Sequence, residues 1–411
     1  MRNHLRSLYR IAAASVVMAT TSALACEVPS TRPLDVLAED RARFDTGAFT
    51  ASIVDDLDRA VMGYAAVLRS KSGRIIASVE YGYARNPCES AGEQNFSINT
   101  QAAWGSVTKM ITTAAVIDKT ERSTARRLTE PMIDFLPEDW RSGVDGGYDD
   151  VTISHLLSYR SGLANNPPPG VNRRDLAARL AQPPARPVGR RTYNNIEFAL
   201  LLYMGRFFRE GYWDSIEQSY QPGEIDYDSY VYAHGLSIYT DVVQGRILTP
   251  LNINASCNDS RHSGQNYALF YSNRDQEKGF LLTPSDASGC STGGVIMNAK
   301  HMSKFLHALS QTENLISAEN YDTLLAPDSE RLHGWNGARE VEDGLAVHKA
   351  GGRRLGGNSI PGNSATGRAG ANIMAFPNGM TAVVVINSGR TSGTKSLRDV
   401  LIDAYNAGLP N

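Results

Sequence analysis

The sequence predicts an α+β protein: an antiparallel sheet built from segments at both ends of the chain, flanked by helices, with a mainly helical insertion between them. Three observations lead there. Strand-like segments occur before residue 84 and return only after residue 345. The stretch between about 116 and 289 carries short helical segments separated by Pro and Gly rich turns. A strongly periodic apolar helix begins at Ser106, where the first strand-rich region ends. Strands contributed from distant ends imply one shared sheet, not two domains in series. The expected organisation is a segment 1–25 that is removed, then a single folded unit 26–411. Its α/β part covers about 26–115 and 290–411, and its helical insertion about 116–289.

In chain order, Arg2, Arg6 and Arg10 precede an apolar stretch at 11–18, and Ala23-Leu24-Ala25 stands just before Cys26. That is the layout of a secretory signal peptide cleaved after Ala25. A short anchoring helix competes, but Thr20, Thr21 and Ser22 interrupt the stretch, which falls short of the roughly 18 to 20 apolar residues that span a bilayer. An exported protein, periplasmic or secreted and with no membrane span after cleavage, is expected. Lipid attachment at Cys26 fits less well, because Ala23 stands where lipoprotein signals usually carry Leu. It would also leave an odd thiol among Cys26, Cys88, Cys257 and Cys290. Four cysteines in an exported chain suggest two disulfides. Three connectivities are open, and Cys26 with Cys88 and Cys257 with Cys290 close the shortest loops.

Residues 49–60 read as a helix, 63–68 and 75–83 as a hairpin turning on Lys71-Ser72-Gly73-Arg74. From Ser106 the apolar positions Met110, Ile111, Ala114, Ala115 and Ile117 recur at helical spacing. In the middle, 153–157, 176–180 and 197–208 read as helices and 165–170 and 183–189 as turns. Strands are expected at 346–350, 370–376 and 381–386, the last two joined by Pro377-Asn378-Gly379, before a closing helix at 395–407. The 411 residues are 42% hydrophobic and 20% charged with net charge −2, and no basic run interleaved with aromatics follows residue 10. Nucleic acid is therefore not an expected partner.

The chemistry sits in three short motifs. Ser106-Val107-Thr108-Lys109 places a hydroxyl and an amine on one helix face. Partial burial would let the amine take the serine's proton. Taken alone this is also an ordinary helix N-cap, and Ser392-Gly393-Thr394-Lys395 repeats the pattern in a Gly and Ser rich loop, where a structural role before the last helix is expected. Tyr193-Asn194-Asn195 offers a phenol, its pKa lowered by nearby lysines, that could act as base or as proton donor to a leaving group. Asn195 could orient a substrate carbonyl or hold the lysine. The alternative is a packed tyrosine and a capping asparagine. Lys349-Ala350-Gly351-Gly352 ends a short apolar strand. It could bring a second positive charge through Lys349 and let substrate lie on the strand edge, or be a glycine turn with a solvated lysine. Backbone N–H groups of Ser106 and Gly352 would form an oxyanion hole, each donor worth about 2 to 4 kcal/mol.

Together the motifs resemble the serine β-lactamase and penicillin-binding protein superfamily, in its branch with S-x-x-K, Y-x-N and K-x-G motifs that holds class C β-lactamases, DD-peptidases and related esterases. The stretch Thr152-Ile153-Ser154-His155-Leu156-Leu157-Ser158-Tyr159-Arg160-Ser161-Gly162-Leu163, the helix end Arg246-Ile247-Leu248-Thr249-Pro250-Leu251 and the turn Gly293-Gly294-Val295 are similar to family segments as well. The resemblance spans roughly 45–410. It implies a β-lactamase/transpeptidase-like fold with the site between the sheet and the helical part, and no cofactor. It also implies Ser106 as acylated nucleophile, Lys109 and Tyr193 as the proton-transfer pair, Asn195 as a substrate-orienting amide, Lys349 as an electrostatic contributor and His155 as structural.

Other chemistries lack their parts: there is no G-x-S-x-G elbow, no H-E-x-x-H pair and no glycine-rich phosphate loop before a helix, so no metal site is expected. Ala350 departs from the family pattern, because Thr or Ser is usual there and its hydroxyl would bind a substrate carboxylate. The segment 209–234, with Tyr212, Asp214, Glu217, Tyr220, Glu224, Asp226, Tyr227 and Asp228, resembles no common family element; it could line the site or form a solvated loop. The expected function is an exported serine hydrolase acting through a Ser106 acyl-enzyme on an ester or amide of a small molecule or peptide, as an esterase or DD-peptidase does. A class C-type β-lactamase and a penicilloyl-binding sensor without turnover are the alternatives. Oligomeric state is open.

Overall fold

The computed structural model describes residues 26–411 except 40–42, 124–126, 165–172, 224, 254, 256, 258–265, 282–286, 330, 356–366 and 411. The expected signal segment 1–25, the turn at 165–170 and Glu224 lie outside the described residues. The chain opens with strand β1 (Leu34–Ala38), helix α1 (Thr46–Leu57) and the hairpin β2 (Gly63–Arg69) and β3 (Ile75–Arg85). Asp45 caps α1, accepting the Ala48 N–H at 2.8 Å. Gly73 turns the hairpin with φ +84°, a conformation that favours glycine. Two short strands follow, β4 (Gln94–Asn95) and β5 (Ala102–Ala103), then helix α2 (Thr108–Arg122).

The middle of the chain is helical: α3 (Glu138–Arg141), α4 (Ile153–Leu157), α5 (Arg173–Leu180), α6 (Ile196–Tyr203), α7 (Gly205–Phe208), α8 (Glu210–Ser219) and α9 (Tyr227–Val242). It returns through β6 (Ile296–Met297), α10 (Ala299–Gln311) and α11 (Ala318–Leu324) to the strands β7 (Gly337–Val341), β8 (Gly344–Leu355), β9 (Gly367–Ala375) and β10 (Thr381–Ile386), and ends in α12 (Leu397–Gly408). The main sheet runs β1-β3-β2-β10-β9-β8-β7, every pairing antiparallel, with β4 on β3. N-terminal β2 pairs directly with C-terminal β10, Val67 opposite Val383. The two ends therefore share one sheet, as expected.

Alternation along these strands divides the apolar side chains between two cores. Ala65, Val67, Val347, Ile373, Val383 and Val385 pack with α2, α10 and the helical region. Tyr64, Ala66, Leu68, Met374, Val384 and Ile386 pack with α1 and α12 on the other face. No helix among the described residues is long and apolar enough to cross a membrane.

Several expectations change in detail. The helix expected over 197–208 breaks between α6 and α7, where a Cβ on Gly205 would fall 2.1 Å from the Trp213 ring. The Tyr and acid rich segment is no loop: it folds as α8 and α9, burying Trp213, Ile216, Val231, Ile238 and Tyr239. Strands β1 and β7 were not foreseen. β1 is an edge strand exposed along its whole length, so no buried face imposes alternation on it. The disulfides are Cys26–Cys88 and Cys257–Cys290, the two short-loop pairings.

Candidate active site

Ser106 lies in a single 3₁₀ turn, Gly105–Val107, at the mouth of α2, half-buried between fully enclosed neighbours. The turn leans on β8. Gly105 has φ +51°, and a Cβ there would stand 2.6 Å from the Gly352 nitrogen. A Cβ on Gly351 would stand 1.9 Å from the Trp104 carbonyl oxygen. Only glycine at both positions lets the strand and the serine turn touch, which brings the Gly352 amide beside Ser106. The Ala350 N–H is already taken by Asn336 Oδ1 at 2.7 Å.

One turn along α2, Lys109 is fully buried, and its Nζ has three partners: Ser106 Oγ at 3.2 Å, Asn195 Oδ1 at 2.8 Å and the Thr292 carbonyl at 2.6 Å. Burial pulls its amine down to about 7, against the opposing pull of Glu197. Two of the partners are carbonyl oxygens that can only accept. A neutral amine spends both N–H bonds on them, leaving its lone pair for the Ser106 hydroxyl. Tyr193 contributes from the start of the α6 segment, its hydroxyl 2.7 Å from Ser106 Oγ. The expectation of a phenol acidified by lysines is corrected here. Although the residue is 45% exposed, desolvation of its hydroxyl raises the Tyr193 pKa, with only the Ser106 hydrogen bond pulling the other way, so at neutral pH the phenol is protonated.

Lys349 comes close without touching Ser106. Its Nζ lies 4.9 Å from the centres of both the Tyr193 and Tyr159 rings and donates to the Tyr159 hydroxyl at 2.5 Å. Tyr159 is buried and gives its own proton to the Gly334 carbonyl at 3.0 Å, so its oxygen must accept from the lysine. Burial, reinforced by Lys109 and Arg191, holds the Lys349 pKa well below the ordinary lysine range. That direction runs against a fixed second positive charge.

The structure adds residues that sequence patterns did not single out. Tyr159 pairs with Lys349 across 190 positions. Glu197 is buried beneath the site and accepts from the Ser161 hydroxyl at 2.5 Å and the Ser161 N–H at 3.1 Å. Burial raises its carboxyl to about 8, although those hydrogen bonds lower it. The Thr292 carbonyl sits on a segment tied to α2 and α9: Thr112 Oγ1 meets the Tyr239 hydroxyl at 2.7 Å and donates to the Ser291 carbonyl at 2.8 Å. The Cys257–Cys290 disulfide anchors that segment two residues before Thr292. A sequence signal existed only for Tyr159, which lies inside the stretch 152–163 already set apart.

His155 lies in the first turn of α4, where its Nδ1 accepts the Thr152 N–H at 3.1 Å and completes a capping box. Ser392 sits in the turn before α12, whose cap is Ser396, and Lys395 pairs with Asp56 and Asp403 at 3.0 and 2.7 Å. Among the described residues no His, Cys, Asp and Glu cluster could hold a metal ion.

Comparison with known proteins agrees with this architecture. The chain is similar in structure to a class C β-lactamase from Rhodobacter sphaeroides, with 18% identity and TM-score 0.57 over 88% of this chain and 98% of that one. It is similar to a β-lactamase/D-alanine carboxypeptidase from Pseudomonas syringae, with 15% identity and TM-score 0.58 over 88% and 97%. It also matches an octameric penicillin-binding protein homologue from Pyrococcus abyssi, with 16% identity and TM-score 0.57 over 88% and 76%. At such identities the likeness is one of fold. No curated protein matches the sequence. The sequence model described as Beta-lactamase matches residues 50–406, most of the chain, and by that match the chain belongs to the β-lactamase family.

Proposed function

We propose that this chain is an exported serine hydrolase, one catalytic unit over 26–411, that cleaves an ester or amide bond through an acyl-enzyme on Ser106. The observation that carries it is the position of Ser106 Oγ between Lys109 Nζ at 3.2 Å and the Tyr193 hydroxyl at 2.7 Å. Neutral Lys109 takes the Ser106 proton as Oγ attacks the acyl carbon. The amides of Ser106 and Gly352 receive the oxyanion. Tyr193 hands its proton to the departing atom and is reprotonated from the Lys109 ammonium. Water then enters, loses a proton to the same pair and releases the acid. Asn195 holds Lys109 through Oδ1, which leaves its NH₂ to orient the substrate carbonyl. Lys349 acts from behind Tyr193, shaping its electrostatic surroundings. Two disulfides support an oxidising compartment, periplasmic or extracellular.

Ala350 favours an esterase or DD-peptidase-like substrate over a β-lactam, since the strand lacks the hydroxyl that would meet a carboxylate. The class C β-lactamase and D-alanine carboxypeptidase folds among the relatives keep a β-lactamase as the second reading. A side-by-side assay of a short-chain aryl ester, a chromogenic cephalosporin and a D-Ala-D-Ala peptide decides. We expect the ester or peptide to turn over faster; a faster cephalosporin would reverse the order. A single burst without steady turnover would assign a penicilloyl-binding sensor instead.

A further inference from the structure

Behind the catalytic strand, on the sheet face turned toward α12, lies a cavity of about 390 Å³. It is separate from the acyl site because neighbouring strand residues face opposite ways. Lys349 points toward Tyr159 and Tyr193, whereas His348 and Ala350 face the α12 layer. The space exists because Ala350, Gly352 and Gly370 put almost no side chain beneath the first turn of α12.

The walls are chemically one-sided. Arg368, Arg390 and Arg398 all line the cavity. Asp399 offsets one of them, pairing with Arg398 at 2.7 Å while also taking the Ser396 hydroxyl at 2.6 Å. Among the described residues, His348, only 4% exposed, has no hydrogen-bond partner on either ring nitrogen, and neither has Oδ1 of Asn372, which is 1% exposed. Buried polar atoms are nearly always satisfied, and here three of them belong to two residues lining one void. Burial, then Arg339 and Arg398, bring the His348 pKa to about 3, so the ring is neutral and offers one donor and one acceptor.

We infer that this cavity is a binding site for a small hydroxycarboxylate, its anionic group toward the three arginines and its hydroxyl between His348 and Asn372. The guanidinium groups supply charge-assisted hydrogen bonds to the carboxylate. The hydroxyl donates its one proton to Asn372 Oδ1 and accepts from an imidazole N–H. Such a ligand would touch the far side of the strand that carries Lys349 and the Gly352 amide.

The test uses the intact protein with L-malate, succinate and sodium chloride at matched ionic strength, read by calorimetry and thermal melting. Malate is expected to bind saturably, succinate to bind more weakly by about tenfold or more for want of two hydrogen bonds, and chloride to shift nothing. Arg368→Gln, at an exposed position, should weaken malate about tenfold or more without moving the melting point of the free protein. His348→Phe should narrow the gap between malate and succinate, leaving only the Asn372 bond to separate them; should that variant fail to fold, the arginine variant and the ligand series still decide. Protein labelled on Ser106 by a fluorophosphonate should keep its malate affinity. Loss on labelling would put the anion in the acyl cleft, and equal responses to malate and chloride would mean the cavity holds only water; either result overturns the site. If Ser106 proves unreactive, the malate series stands by itself.

Discussion

Two segments of this protein share the pattern Ser-x-x-Lys and end in opposite chemical states. Lys109 is enclosed, touches only neutral acceptors, and is drawn down to about 7 by burial. Lys395 stands at the surface between Asp56 and Asp403, whose hydrogen bonds raise its pKa. The same four-residue pattern holds an amine lowered to about 7 in one place and a permanent ammonium in the other. What differs is the partner set: carbonyl oxygens accept from an amine without holding its charge, whereas carboxylates stabilise the charged form. The motif defines reach, and the surroundings define chemistry.

The largest effect should come from the two serines. Ser106→Ala is expected to lower fluorophosphonate labelling by at least about 10³-fold, and Ser392→Ala to leave it unchanged, as read by intact mass. Equal labelling of both variants would remove the distinction between the segments. Next, Lys109→Gln should slow labelling by about 10²- to 10⁴-fold. Lys395→Met should leave the rate alone and cost at most about 1 kcal/mol, because its ion pairs are solvent-screened.

The pH profile sharpens the same contrast. Below pH about 7 Lys109 is an ammonium with no lone pair, so the labelling rate should rise with pH through that value. Glu197→Gln should move the midpoint only slightly lower, since a carboxyl raised to about 8 is largely neutral where Lys109 titrates. A flat profile from pH 5 to 9 would sink Lys109 as the base. Smallest in rate is Tyr159→Phe, which strips Lys349 of its hydroxyl acceptor. We expect a loss of about 1 to 3 kcal/mol in chemical denaturation, with a modest fall in labelling.

Much of the site was legible because its residues announce themselves locally. Ser106 and Lys109 are one helical turn apart, and the glycines after Lys349 mark a close backbone approach. Strands with a buried face, such as β2 and β10, were equally visible. The unseen parts depend on partners distant in sequence. Tyr159 meets Lys349, Thr292 meets Lys109, and nothing near any of them in the chain encodes the meeting. The Tyr193 acidity was misjudged for the same reason: lysines nearby lower a phenol's pKa only if they stay charged, and both are buried. The segment 209–234 reads in sequence as either a site lining or a solvated loop because its tyrosines and acids mask the positions of Trp213, Ile216 and Val231, which help to fix α8 and α9.

The three contacts of Lys109 carry a further consequence. Asn195 is 86 residues away and Thr292 is 183 residues away. In an unfolded or half-assembled chain this lysine is an ordinary solvated cation and Ser106 an ordinary alcohol. The proposed reactivity would thus arise only when these distant segments have closed on one another, and a nascent or damaged copy would be chemically silent. On the proposed mechanism, covalent labelling of Ser106 would count finished molecules, and an acylation assay would double as a measure of how much of a sample is fully folded.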